Sequence, residues 1–391
     1  LRGSSIIRIA FAFLSLVTLI GCWDRVEIEE VGITLGIGFD MADKKTDTTG
    51  REGQRISMTH HFAIPEQFSS KGGVKSKKSY VNLTSTGEQV FENVNEISTR
   101  LSRIPSYEHL RIIVINEEVA KSIDLRNIVN FLLRNSETRR SMPVLIAQGP
   151  TVQVLEKEGI ATNPALKLKG MTEDYHKSLS MPPSLKLGDL SEKLTGKNSF
   201  VIQKVSTTER EAKLAGAAVI KGKTGKMVGW LTEEETTGLN FLYPDHKRQG
   251  VVKGIDPKSG NAIVFEVHKL NRTISPQSLG DKIDFAVELN IEGRLREDWV
   301  YPGNAFDKEF ISRAELAAKE SVEKLVQKAL SKTQKTFKAD VADFGKKLQI
   351  QNPKLWNKVK ENWDDIFSRS VISVKVDVKI LEFGTTATKK G

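Results

Sequence analysis

Ile283-Asp284-Phe285-Ala286-Val287-Glu288-Leu289-Asn290-Ile291-Glu292 puts a large apolar side chain at every odd position and a polar or small one at every even position. A period of two sends alternate side chains to opposite faces of a β-strand, so one face of this segment lies in a core and the other in water. The same alternation returns in Ile372-Ser373-Val374-Lys375-Val376-Asp377-Val378-Lys379-Ile380. Between the two, Ile311, Ala314, Ala318, Val322, Leu325 and Ala329 recur every three to four residues, one apolar stripe of a long helix. Glu315 with Lys319 and Glu320 with Lys324 are (i, i+4) pairs in the favourable order. Strands flanking a block of helices indicate an α+β fold, multidomain, with mixed sheets and packed helices.

Working back from that region, Val31 to Phe39, Arg55 to Ile64 and Tyr80 to Thr84 read as strands, with Ser69 to Ser79 as a Gly-Ser-Lys loop. Ser85 and Thr86, with Glu88 and Gln89 three residues on, form capping-box pairs ahead of the helix face Val90, Val94, Ile97 and Leu101. Ile112-Ile113-Val114-Ile115 and Val144-Leu145-Ile146-Ala147 are apolar on both phases, so helices must cover both their faces. The Asp124-capped segment with Leu125, Ile128, Phe131 and Leu132 supplies one cover. Residues 176–212 lose this periodicity and collect Met181-Pro182-Pro183, Gly188 and Gly196, the mark of a domain boundary. The expected organisation is 1–21, a signal peptide; 22–190, a mixed α/β domain; and 191–391, an α+β domain, with room for an intermediate domain near 180–280. No internal repeat is visible.

At the N-terminus, Arg2 and Arg8 precede an apolar run from Ile9 to Ile20, and Leu19-Ile20-Gly21-Cys22 ends it with a small residue before the chain's single cysteine. The segment resembles a bacterial lipobox. In such signals the thiol is alkylated by a diacylglyceryl group, the peptide is cut before the cysteine, and Cys22 becomes the N-terminus. The apolar run is shorter than the roughly 20 residues a spanning helix needs. Loss of residues 1–21 removes Arg2 and Arg8 and no acid, lowering the formal charge from +10 to +8. A basic surface suits a protein held against anionic headgroups, while export takes it away from nucleic acid. One cysteine excludes an intramolecular disulfide, so hydrophobic cores must carry stability.

Recognisable chemistry is missing. Gly216 to Thr224 reads G-A-A-V-I-K-G-K-T, one residue too long between glycines for a phosphate loop, and Ala217 to Ile220 is strand-like. A hairpin turning at Gly222 to Gly225 and returning through Met227-Val228 fits better. Gly36-Ile37-Gly38 lacks the third glycine and following helix of a dinucleotide turn. His60 and His61 are adjacent in a strand and point to opposite faces, so they cannot grip one metal from there. His268 shares a phase with Glu266, and His109, His176 and His246 stand alone. No catalytic residue, metal set or cofactor site is assigned. Lys71, Lys75, Lys77 and Lys78 read as a solvated loop, and Trp356 and Trp363, seven apart, as one helical face packed in a core.

The linear order of these segments resembles the GerC (GerAC-type) lipoproteins of nutrient germinant receptors in endospore-forming bacteria. Gly21-Cys22-Trp23-Asp24-Arg25, then Glu29 and Gly36 to Asp40, is similar to that family's opening. His109 to Ile115 followed by Leu132-Leu133-Arg134 is similar to its buried strand and helix. Its most recognisable segment is matched by Gly216 to Val219, Lys226 to Leu231 and Glu235-Thr236-Thr237-Gly238. Trp356, Trp363 and Phe367 ahead of Val371 to Ile380 and Gly384 resemble its tail. The resemblance implies three domains of mixed structure and a non-enzymatic subunit on the outer face of the spore's inner membrane. It also implies two polytopic membrane subunits as partners, with lipidation of Cys22 the only site carried over. Two other readings share the lipobox: the substrate-binding lipoprotein of an importer, which needs two α/β lobes around a cleft, and a tethered envelope enzyme, which needs a convergent acid, base or metal site.

Overall fold

A computed structural model describes residues 31–42, 55–64, 78–157, 163–243, 249–279, 282–301, 303–383 and 388–389. The first unit runs β1 (Val31–Met41), β2 (Ile56–Ala63), β3 (Tyr80–Gly87), α1 (Val90–Arg100), β4 (Ile104–Ser106), β5 (Ile112–Asn116), α2 (Glu117–Ser122), α3 (Leu125–Arg134), β6 (Val144–Gln148), α4 (Thr151–Val154), α5 (Pro164–Glu173), α6 (Leu187–Thr195), β7 (Phe200–Thr207), β8 (Ala212–Lys221) and β9 (Lys226–Leu231). Its strands make one nine-stranded sheet in the order β3-β2-β1-β5-β6-β7-β8-β9, with β4 on the start of β1. The centre, β1-β5-β6-β7, is parallel and the flanks are antiparallel. Parallel strands must be covered on both faces. Accordingly Ile113, Ile115, Val144 and Ile146 pack with residues of α1, α3 and α6 on one face, while Ile112, Val114, Leu145 and Ala147 meet Val154 of α4 and Leu168 of α5 on the other.

The expected division at residue 190 falls inside this unit. Residues 176–212 contain α6 and β7, whose Leu187, Leu190, Leu194, Phe200 and Ile202 complete the core beneath α3. A turn-rich composition there marks short connections, not a break in the sheet. β8 and β9 form the expected hairpin, with Gly225 at φ +64° where an L side chain is disfavoured. At α1 the cap sits one turn later than the sequence suggests. β3 extends through Gly87, so Ser85 and Thr86 are strand residues, and Gln89 caps the helix while Glu92 reaches back to its backbone. The Asp124 cap of α3 is as expected, its carboxylate accepting from Arg126 N–H at 2.9 Å.

The second unit continues with α7 (Glu233–Asn240), β10 (Gly250–Ile255), β11 (Ala262–Leu279), β12 (Lys282–Asp298), β13 (Gly303–Asn304), α8 (Lys308–Ser331), α9 (Phe344–Gln351), α10 (Pro353–Val359), α11 (Trp363–Arg369), β14 (Ile372–Glu382) and β15 (Thr388–Lys389). The alternating segments are β12 and β14, paired parallel in the sheet β10-β11-β12-β14. Ile283, Phe285, Val287, Leu289 and Ile291 face a core shared with Ala314, Ala318, Val322 and Ala329 of α8. The fold is therefore α+β, built on two mixed sheets with packed helices. The same core takes in Ala217, Val219 and Leu231 from β8 and β9, so the two units are packed together through α7 and α8.

Candidate functional site

Where α6 and the β8–β9 turn face α9, α10 and α11, a polar cleft of about 620 Å³ opens between the units. Asp340 forms its floor. The carboxylate is buried, and accepts from the backbone N–H groups of Ala342 at 3.2 Å, Phe344 at 3.1 Å and Gly345 at 2.6 Å, and from Trp363 Nε1 at 2.9 Å. Two of those donors belong to the first turn of α9, which has no earlier carbonyls to bond, so the carboxylate satisfies orphan groups and meets the positive helix end. Burial nevertheless pushes Asp340 above the ordinary carboxylate range, opposed by these hydrogen bonds. Gly345 keeps the floor closed: a Cβ there would stand 2.7 Å from Trp363 Nε1.

Trp356 and Trp363 do not share one helix face. They sit on α10 and α11, separated by a 3-10 turn, and meet edge to face at 5.4 Å. The seven-residue spacing is met by a bend between two short helices.

Opposite charges close the cleft from the two sides. Lys193 of α6 lies 3.8 Å from Asp343, Lys221 of β8 lies 3.6 Å from Asp364, and the Lys223 ammonium donates to the Glu361 carbonyl at 2.5 Å. Asp364 is half-buried, and burial raises it above its usual range against the pull of Lys221 and Lys223. Three lysines from the first unit thus hold carboxylate and carbonyl oxygens of the second. The arrangement is a clamp between units: the lysines are taken up by oxygens and the floor carboxylate already has four donors. On β11, the Arg272 guanidinium has Nε and Nη1 buried without a partner, and burial pulls it below its ordinary value against Asp343 and Tyr243.

The histidines hold separate positions. His60 Nε2 and the Tyr107 hydroxyl are 2.9 Å apart in the first core, with the His60 ring stacked on Phe62. His61, on the other face, has Nδ1 2.7 Å from Asn82 Oδ1 and Nε2 3.3 Å from Asn163 Oδ1. His268 lies 3.7 Å from Glu266, which Arg294 also engages. His109 is exposed and His176 bonds the Glu173 carbonyl, while His246 lies outside the described residues. Among the described residues no three His, Cys, Asp or Glu side chains gather to hold a metal. Cys22 and Lys71, Lys75 and Lys77 also lie outside the described residues.

His60 carries a pH signature. Burial drives its imidazole down to about 4, and Nδ1 has no partner. An unfolded histidine titrates near 6.5, so between those values the folded chain binds fewer protons than the unfolded one. Stability present above pH ~6.5 is lost as pH falls towards 4, by about 3 kcal/mol. Urea unfolding across that window should show this loss in the wild type and a shallower slope in His60→Gln; equal slopes would contradict the assignment.

A second concavity, about 960 Å³, is an apolar groove between α1 and α3 lined by Ile56, Val90, Phe91, Val94, Ile123 and Phe131. Of the cleft residues Trp356 and Trp363 stood out in the sequence, as core residues, while its charged side chains did not. The signal available was Asp340 and Asp343 just ahead of a helical run, a capping pattern without an apolar face strong enough to announce the helix.

Comparison with known proteins matches two family models in tandem. A model described as Spore germination protein N-terminal domain covers residues 24–207, and one described as Spore germination B3/GerAC like, C-terminal covers residues 215–384. The chain is 34% identical to Spore germination protein YndF of Bacillus subtilis (strain 168), over 96% of each chain. It is 30% identical to Spore germination protein A3 of the same organism, over 98% of this chain and 100% of the relative. Spore germination protein B3 shares 28% over 97% and 98%. A crystal structure of the GerBC protein superposes with a TM-score of 0.61 at 24% identity, covering 88% of this chain and 97% of that one, which shows a common fold.

Proposed function

The chain belongs to the spore germination B3/GerAC family, and from that premise we propose that it is the membrane-anchored, non-enzymatic subunit of a nutrient germinant receptor. The observation that carries this reading is the extent of the match: both family models in order, and relatives aligned over nearly their whole length. The lipobox adds the anchor. Cys22 carries the diacylglyceryl group after removal of residues 1–21, and holds the chain on the outer face of the spore's inner membrane. Among the described residues no helix is long and apolar enough to cross a membrane. Two polytopic membrane subunits are its partners. In the mature chain the nine-stranded sheet is one domain, and the four-stranded sheet with α8 to α11 is a second, joined through α7.

A docking role fits the cleft, where lysines and acids engage each other across the unit boundary. An importer's binding lobe would instead leave its polar groups turned towards a ligand cavity. The test is genetic. In spores lacking every other nutrient receptor, removal of this chain should abolish germination on the receptor's own nutrient and leave germination by a receptor-independent agent unchanged. Normal nutrient germination without it would overturn the assignment, as would enzyme-like turnover of a peptide, ester or glycan by the purified chain.

A further inference from the structure

One end of the nine-stranded sheet gathers the starts of β1, β3 and β4 and the end of β2. Val31 pairs with Ile104, and Phe62 and Ala63 pair with Val81 and Tyr80. The Phe62 ring lies 3.3 Å from where a Cβ on Gly32 would stand, so these four strands end within one packed corner. Ile104 is 67% exposed and Val81 41%, and on β3 the positions in phase with Val81 become buried further along, at Ser85 and Gly87. Around them stand Lys78, exposed and over the Tyr80 ring at 5.6 Å, Arg103, half-buried and directly before Ile104, and Arg100, which donates to the Thr84 carbonyl. Among the described residues Arg100 also pairs with Glu96.

We propose that this corner, Val81 and Ile104 fringed by Lys78, Arg100 and Arg103, rests on the bilayer and contacts anionic lipid headgroups. The proposal rests on lipidation of Cys22. From Cys22 the chain reaches β1 in nine residues, a span of about 30 Å at full extension. A folded chain of this length has a radius of gyration of roughly 21 Å, so its diameter exceeds the tether and Val31 cannot point away from the membrane. The end of the sheet at which β1 starts is therefore the membrane-facing end. Exposed aliphatic side chains in a basic fringe are the surface chemistry that partitions into an anionic interface, the apolar groups reaching below the phosphates and the cations meeting them. The strands then stand on the bilayer by their ends, and the second sheet, joined to the far flank through β8 and β9, is held beside or above.

The lipidated full-length chain offers a direct test. Cys22 is consumed by lipid, so Ile104→Cys or Val81→Cys introduces a unique thiol for a nitroxide label. Labelled protein is reconstituted in vesicles of equal parts phosphatidylglycerol and phosphatidylcholine, with Ile255→Cys, exposed on the second sheet, as reference. The labels at 104 and 81 should show a several-fold higher ratio of oxygen to nickel-chelate accessibility than the label at 255. That contrast should shrink in pure phosphatidylcholine and at high salt. Should either variant melt below the wild type, Ser102→Cys, exposed beside Ile104, replaces it. Water-like accessibility at 104 and 81 in protein that floats with the vesicles would overturn this inference alone, and a contrast indifferent to lipid charge would overturn its electrostatic basis. An unmodified Cys22 by mass spectrometry would remove the inference and the anchor together.

Discussion

Gly238→Val is expected to undo the packing of the two units, with a loss on the order of 4 kcal/mol or more. α7 crosses α8 at Gly238 so closely that a Cβ there would lie 1.9 Å from the Leu325 carbonyl oxygen and 2.4 Å from its carbon. Both are backbone atoms of a 24-residue helix, so no rotamer change relieves the overlap. The helices must move apart, and Leu239, Val322 and Val326, all in the shared core, lose their contacts. The Glu234–Lys328 ion pair across the same crossing would be lost as well, although so exposed a pair contributes little. The control is Gly170→Ala in α5, where a Cβ meets nothing within 4 Å, and where relief of the glycine penalty should raise stability by about 0.5–1 kcal/mol. Thermal unfolding of the two variants should therefore shift in opposite directions. A Gly238→Val protein melting with the wild type would show that the crossing is looser than its geometry.

The same glycine shows where sequence reading stops. Glu235-Thr236-Thr237-Gly238 is visible as a motif, and Thr232 with Glu235 forms a capping box at the start of α7, but what Gly238 touches is 87 positions away in the chain. Local period was readable wherever one face of an element is buried: β12, β14, α8 and α3 are where their apolar spacing puts them. It failed in β11, whose second half contains Ser275-Pro276-Gln277. Beyond Val267 β10 no longer pairs with it, leaving this half an edge strand that tolerates a proline and carries no strict alternation. The stretch 176–212 misled for a related reason. Its glycines and prolines lie in short turns between α5, α6 and β7, and composition alone does not distinguish a tight turn inside a domain from a linker between two.

The extent of the first sheet also relocates the cut that would isolate the second. A truncation from Gly216 onward removes most of β8 and all of β9, and with them Ala218, Ile220 and Met227 of the first core, so its effects would report misfolding; a cut after Asn240 spares them. The cleft was illegible because the contacts that bring its two sides together join distant segments, Lys193 to Asp343 and Lys221 to Asp364, and Trp363 reaches Asp340 from 23 residues away. Charges of both signs are common enough that no spacing marks those that will meet.

Cys22→Ala is expected to move the chain from the membrane to the soluble fraction in cells that lack its polytopic partners. Acyl burial contributes roughly 0.8 kcal/mol per CH₂, so two chains hold a protein durably where one holds it only marginally, and the substitution removes the sulfur that would carry them. No other cysteine is present to substitute for it. The basic corner on the first sheet should give at most weak residual binding to anionic vesicles, abolished by salt, because exposed charges beyond a Debye length are screened. The folded part should be untouched, since the described core residues of both sheets all lie beyond Val31. Fractionation should therefore show a soluble chain with unchanged thermal stability. With the partners present, retention should be partly restored, since a tether works by raising the local concentration of weak contacts and bound partners supply some of that effect. Full membrane retention of Cys22→Ala without partners would mean that attachment does not depend on the lipid, and would take with it the argument that nine residues of tether fix which end of the sheet meets the bilayer.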